Sequence, residues 1–153
     1  MFSWETGRVA AKDATGTARL VDRLLEVTQR VQHVVTVVAN RYEVTPQQVS
    51  LLRMLDEPMS MRAFASDLSC DPSNVTGLVD RAERAGLVAR VPDPRDRRVR
   101  MLTLTAKGRR IRDRVNSELV SELGSALEAT STSWDQVARI LQSVNQDLQA
   151  KPR

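Results

Sequence analysis

The sequence predicts a mainly α chain, with three short helices and a two-stranded β-hairpin standing between two long helical flanks. Three observations carry this. Apolar residues recur at helical spacing over most of the 153 residues. Two pairs, Thr45-Pro46 and Asp71-Pro72, each place a capping side chain before a proline at the first helical position. Only the stretch from Leu87 to Leu104 breaks into short β-type runs, around a turn rich in Pro, Asp and Arg.

Residues 1–16 mix Gly, Ala, Thr and charge without clear periodicity, which predicts a loose arm. From Thr17 to Arg41 there is neither Gly nor Pro. Leu20, Leu24, Val27, Val31, Val34, Val35 and Val38 fall at helical spacing, and Val21, Leu25 and Val37 widen the apolar arc beyond half the circumference. A helix packed on one side needs less. This one is expected to bury surface against its own domain and against a partner. The second helix opens at Thr45-Pro46, carries Val49, Leu52 and Leu55 inward, and ends by Pro58. Ser60 can cap a short third helix with Phe64 and Leu68 inward. The fourth runs from Asp71-Pro72 to Ala85, and Gly86 stops it. The hairpin pairs Leu87–Val91 with a strand resuming at Val99, across the basic tip Arg95-Asp96-Arg97-Arg98. Thr105 can cap the next helix, in which Ile111, Val115, Leu119, Leu123 and Leu127 step by four. The last helix carries Trp134, Val137, Leu141, Val144 and Leu148, a narrow seam of the kind used in helix pairing.

Composition excludes several classes. The chain has one Cys, so no internal disulfide framework is possible, and a reducing cytoplasm is the expected home. No apolar run approaches a membrane span, and none near the N-terminus suits a secretory signal. Neither a metal-ligand cluster, nor a Gly-rich phosphate loop, nor a nucleophile motif is present, so neither cofactor nor catalysis is expected. Net charge is +4, yet Arg90–Arg114 alone holds ten Arg/Lys against three Asp, a local +7 that leaves −3 for the rest. A basic segment on an acidic body suits a polyanion; a solvated helix face is the plainer alternative.

Helices two to four plus the hairpin make a winged helix-turn-helix. At about 100° per residue, Val75, Leu78, Val79 and Ala82 share the inner face of the fourth helix. Ser73, Thr76, Gly77, Asp80 and Arg84 lie opposite, with Asn74 and Arg81 toward the edge. A short, polar outer face near a helix N-terminus is what close approach to base edges in a major groove requires. Gly77 costs helix stability and removes bulk there. The arginines Arg95, Arg97 and Arg98 on a projecting loop suit phosphate and minor-groove contact. Asp96 is expected to hold a neighbouring arginine, Arg98 above all.

The stretch from Asp71 to Gly108 resembles the multiple-antibiotic-resistance regulator (MarR) family. The residues that carry this are Asn74-Val75-Thr76, Val79-Asp80-Arg81, Arg84-Ala85-Gly86-Leu87-Val88 with Arg90, the wing Asp96-Arg97-Arg98, and Leu102-Thr103-Leu104-Thr105-Ala106-Lys107-Gly108. Ala82 stands where the family usually has leucine. With its helical flanks the likeness extends over about residues 18–150. It implies a homodimer joined by the N- and C-terminal helices, a palindromic double-stranded DNA operator, and often a small-molecule or oxidant signal. On this reading 1–153 is one regulator domain, in which about 45–105 bind DNA and about 17–42 and 106–150 dimerise. The chain is then expected to be a repressor. Ser73, Asn74, Thr76, Gly77, Arg81, Arg84, Arg90, Arg95, Arg97 and Arg98 are the expected DNA contacts. A winged helix used for protein contact, or as a non-specific architectural binder, is the competing reading.

A low aromatic content of 3% disfavours a pocket of stacked rings. An aliphatic cleft near His33, Arg41, Tyr42 and Ile111, suited to a small organic anion, is the expected effector site. His33 also fits as a plain interface residue. Cys70 fits a small semi-buried residue better than an oxidant sensor.

Overall fold

A computed structural model describes residues 5–68, 72–128 and 133–150, with side chains for 16–66, 75–128, 133–148 and 150. Its elements run α1 (Glu5–Arg41), α2 (Pro46–Met54), β1 (Met59–Ser60), α3 (Met61–Leu68), α4 (Pro72–Arg84), β2 (Val88–Pro92), β3 (Arg100–Leu104), α5 (Ala106–Glu128) and α6 (Trp134–Ala150). No helix among the described residues is long and apolar enough to cross a membrane.

The expected loose arm is instead the start of α1, which has 37 residues. At about 1.5 Å per residue it is roughly 55 Å long. Glycines at 7 and 16 each cost only about 1 kcal/mol, and no proline interrupts the run, so the helix continues. Its C-terminal end enters the core through Val38 and Ala39. Farther back, Leu20, Val21, Leu24, Leu25 and Val27 remain exposed. The wide apolar arc is thus covered by this chain only at one end.

The caps form as their residue types require. Thr45 accepts from the Gln48 amide while the Gln48 side chain accepts from the Thr45 amide, a closed capping box. The Ser60 hydroxyl accepts from the Ala63 amide, and Thr105 from the Gly108 amide. Gly86 takes φ +70 at the end of α4, a conformation that L side chains rarely adopt. The second helix ends at Met54, four residues before Pro58. Asp71 and Cys70 lie outside the described residues.

The hairpin is joined by a strand the sequence did not announce. β1 pairs antiparallel with β3, so the order is β1-β3-β2, a three-stranded sheet in place of the expected two. The register sets Val88 opposite Leu104 and Arg90 opposite Leu102. β3 begins at Arg100, because Val99 belongs to the loop and closes it, its carbonyl accepting from the Asp93 amide at 3.0 Å.

The core gathers around Phe64, Leu51, Leu52, Leu55, Leu87 and Leu102. Val75, Leu78, Val79 and Ala82, the expected inner face of α4, are all buried in it. Along α5 burial peaks at Val115 and Leu119 and is gone by Leu127, which is 46% exposed. α6 makes little contact with the rest of the chain, and Ile140, Leu141, Val144 and Leu148 lie open.

Candidate nucleic-acid interface

The reading helix is fixed from behind and open in front. Its inner residues are locked in the core, and its exit is sewn to the start of α5. The Thr105 hydroxyl donates to the Gly86 carbonyl at 2.7 Å, and Lys107 Nζ to the Ala85 carbonyl at 2.9 Å. Gly108 sits so close that a Cβ there would lie 1.9 Å from the Leu87 carbonyl oxygen. Only glycine fits that approach.

On the outer side Thr76, Arg81 and Arg84 are exposed and Gly77 is half-buried. Arg81 Nη1 lies 3.4 Å from where a Gly77 Cβ would stand. The missing side chain therefore leaves a notch into which Arg81 folds. Arg84 donates back to the Asp80 carbonyl at 3.3 Å, which keeps it along the helix. The backbone of Ser73 and Asn74 lies in the first turn of α4, where the sequence reading needs it. Their side chains lie outside the described residues.

The wing is a loop held by its own aspartates. Asp93 Oδ1 accepts from the Arg95 amide at 2.7 Å, and Asp96 Oδ1 from the Arg98 amide at 2.9 Å. Asp96 thus holds Arg98 as expected, by its backbone rather than its guanidinium. The two turns fix the loop without consuming its charge. Arg95, Arg97 and Arg98 are exposed, and among the described residues no carboxylate pairs with their guanidinium groups.

Arg90 also has a task within the fold. Its side chain is 26% exposed and crosses from β2 to α4. Nη2 meets Asp80 Oδ1 at 2.5 Å, Nη1 meets Glu83, and its amide donates to Glu83 Oε1 at 3.3 Å. Hydrogen bonding to Asp80 above all holds its pKa above the ordinary guanidinium value. A cation committed to two carboxylates has little left for phosphate. Arg90 is a clasp between wing and reading helix. The signal was in the sequence as two acids, seven and ten residues upstream, but only the packing of β2 on α4 shows that they converge.

The expected anion cleft carries carboxylates of its own. Arg41 Nη1 binds Glu118 at 2.7 Å and Glu122 at 3.3 Å, and the Tyr42 hydroxyl donates to Glu118. The Tyr42 hydroxyl and Arg41 hold the Glu118 carboxyl below the ordinary carboxylate value, while the same hydrogen bond raises Tyr42. An incoming anion would have to displace two carboxylates. His33 is exposed, and Ile111 packs half-buried against the core. Arg41 and Tyr42 join the end of α1 to α5.

Residues 44–99 match the model of the MarR family. Over that stretch the chain is similar to the MarR family. It is 38% identical over 98 residues to the transcriptional activatory protein BadR of Rhodopseudomonas palustris, covering 61% of this chain and 56% of that one. It therefore matches little more than half the length of that relative. Among solved structures it is similar to CouR from Rhodococcus jostii bound to p-coumaroyl-CoA, at 28% identity and a TM-score of 0.71, over 85% of this chain and 91% of that one. A mutant MarR from E. coli complexed with operator DNA shares the fold at 22% identity and a TM-score of 0.67, over 85% of this chain and 94% of that one. The matched stretch of the MarR family runs from α2 to the wing, the same unit that the core and the clasp hold together.

Proposed function

We propose that this protein is a sequence-specific transcriptional regulator that binds a palindromic double-stranded DNA operator as a homodimer in the cytoplasm. Residues 45–105 read the DNA, and 17–42 with 106–150 join the two copies. The observation that carries the reading is the pairing of a firmly seated helix, open and polar in front, with a wing whose three arginines have no carboxylate partner among the described residues. Ser73, Asn74, Thr76, Gly77, Arg81 and Arg84 face the major groove, and Arg95, Arg97 and Arg98 the phosphates and minor groove.

The homodimer rests on surface this chain leaves bare. Leu20 is 60% exposed, Leu141 50% and Leu148 64%, and exposed apolar side chains repeated along two helices support an interface there. A two-fold dimer then sets two reading helices about 34 Å apart, one DNA turn, which calls for a two-fold operator. Repression is the outcome assigned here, because occupying a promoter needs no surface beyond those described. BadR is named as an activatory protein, and transcription in vitro from the bound site decides between the two signs. Release by a small organic effector completes the reading.

DNase footprinting on the DNA flanking the protein's own gene tests the whole. A discrete protected site with two-fold symmetry is the expected result. Uniform coating without a site would favour an architectural binder and overturn the proposal.

A further inference from the structure

α4 carries two acids, Asp80 and Glu83, and two arginines, Arg81 and Arg84. Both acids are taken by Arg90, which reaches them from β2. Arg81 is exposed, and among the described residues no carboxylate pairs with it. A helical side chain leans toward the N-terminus and covers the turn before its own Cα. Arg81 does so across Gly77, with Nη1 3.4 Å from where a Gly77 Cβ would stand. Its guanidinium therefore lies one turn, ~5.4 Å, nearer the start of α4 than the Cα that carries it. Glycine allows this at a cost to the helix, because a bulkier residue there would push the group out of its notch. Arg84 leans the same way, but its Nε donates to the Asp80 carbonyl at 3.3 Å, so its head stands three residues behind that of Arg81.

The N-terminal part of a recognition helix goes deepest into the major groove, and the side chains behind it meet the backbone. A guanidinium held at the level of residue 77, with its charge unpaired, matches the O6 and N7 acceptors of guanine, which two N–H groups of one fork can take together. We propose that Arg81, seated in the Gly77 notch, reads one guanine in each half of the operator, and that Arg84 meets phosphate. The inference rests on the regulator reading and adds to it one base and the residue that selects it. The clasp takes part in this: by holding Asp80 and Glu83, Arg90 keeps Arg81 from an ion pair on its own helix.

The test is selection from a pool of randomised double-stranded DNA by the intact protein and by its Arg81→Ala and Arg84→Ala variants. Both side chains are exposed, so both variants should fold, which circular dichroism checks. The wild type should enrich a two-fold sequence with a guanine at one fixed position in each half. Arg81→Ala should lose the preference at that position alone. Arg84→Ala should keep every preference and flatten the salt dependence. Replacing that guanine in one half by 7-deazaguanine removes N7 and leaves base pairing intact. It should weaken wild-type binding about ten-fold and leave Arg81→Ala binding unchanged. The analogue probes the wild type itself, so the outcome does not hang on a variant. The inference is overturned if the guanine preference survives Arg81→Ala, or if 7-deazaguanine costs the wild type nothing. It is also overturned if Arg81→Ala weakens all sequences alike with a flatter salt slope, which would make Arg81 a phosphate contact. Each of these leaves the regulator standing, whereas a wild type that enriches no sequence sinks both readings.

Discussion

Replacing Arg90 by Met separates a clasp from a phosphate contact. Met keeps most of the apolar stem that packs between β2 and α4 and removes the guanidinium. The pairs it breaks are partly screened, since Asp80 is 47% and Glu83 39% exposed. Pairs of this kind contribute about 0.2–1 kcal/mol each, so the two together are worth roughly 1 kcal/mol. For a chain of this size that lowers Tm by roughly 2–4 °C. The salt dependence of operator binding should not change, because the slope counts neutralised phosphates and Arg90 neutralises none. Affinity should fall at all sequences alike, since two carboxylates beside the reading face lose their counter-charge. Thermal melts and filter binding over a salt series measure both quantities. A double-mutant cycle with Asp80→Asn should show coupling of several tenths of a kcal/mol. An unchanged Tm with a slope about two units flatter, one phosphate per subunit, would refute the clasp and return Arg90 to the DNA.

The wing should behave in the opposite way. Replacing Arg95, Arg97 and Arg98 with Ala should leave Tm nearly untouched and flatten the salt slope by about 0.9 for each lost phosphate contact, counted twice in a dimer; an unchanged slope removes the wing from the interface. Gly77→Leu should displace Arg81 from its notch and abolish operator binding with the helical circular dichroism intact, and normal binding would show that α4 stays outside the groove. Sedimentation should find a dimer at micromolar concentration, and Leu141→Glu should shift it to monomer by at least ten-fold in Kd; a folded wild-type monomer would end the dimer reading. Glu118 is depressed below its ordinary value of 4.5 by Tyr42 and Arg41, so its contribution is present above that value and lost as pH falls through the lower one. The Tm gap between the wild type and Glu118→Gln should therefore hold steady near neutrality and close only as pH falls below the ordinary carboxylate range, and a gap that widens on acidification would contradict the assignment.

Much of this arrangement is legible in the chain because it depends on neighbours in sequence. Capping at Thr45, Ser60 and Thr105, the stop at Gly86 and the inner face of α4 are all decided within a few residues. What escaped depends on distant partners. β1 is two residues long and has no pattern of its own; it is a strand only because β3 lies beside it. The sign of Arg90 marks a cation, but whether it meets phosphate or carboxylate is settled by the approach of β2 to α4. The partners of Arg41 are hidden for the same reason, since Glu118 and Glu122 lie 77 and 81 residues away. The length of α1 was misjudged on composition, although two glycines without a proline are too weak to break a helix.

These distant contacts make α5 the element through which the two halves of the molecule act on each other. Its first turn is sewn to the exit of the reading helix by Thr105, Lys107 and the Gly108 contact. Arg112, one turn on, binds Asp56 at 3.0 Å beyond the end of α2. Glu118 and Glu122, about two and three turns farther, hold the end of α1 through Arg41 and Tyr42. The reading helix therefore cannot move relative to α5 without breaking the Thr105, Lys107 and Gly108 contacts, and α5 cannot swing on α1 without breaking charge-assisted hydrogen bonds. Angular change is easiest farther along, past Leu119, where burial fades toward Leu127. A groove lined by Asn116, Leu119, Leu123 and Gly124 lies there too. A small change in angle there is carried down a stiff helix to α4. Over the 23 residues of α5, about 34 Å at ~1.5 Å each, a tilt of about 5° displaces the far end by roughly 3 Å. In a dimer the two displacements add, which is enough to take two reading helices out of register with successive grooves.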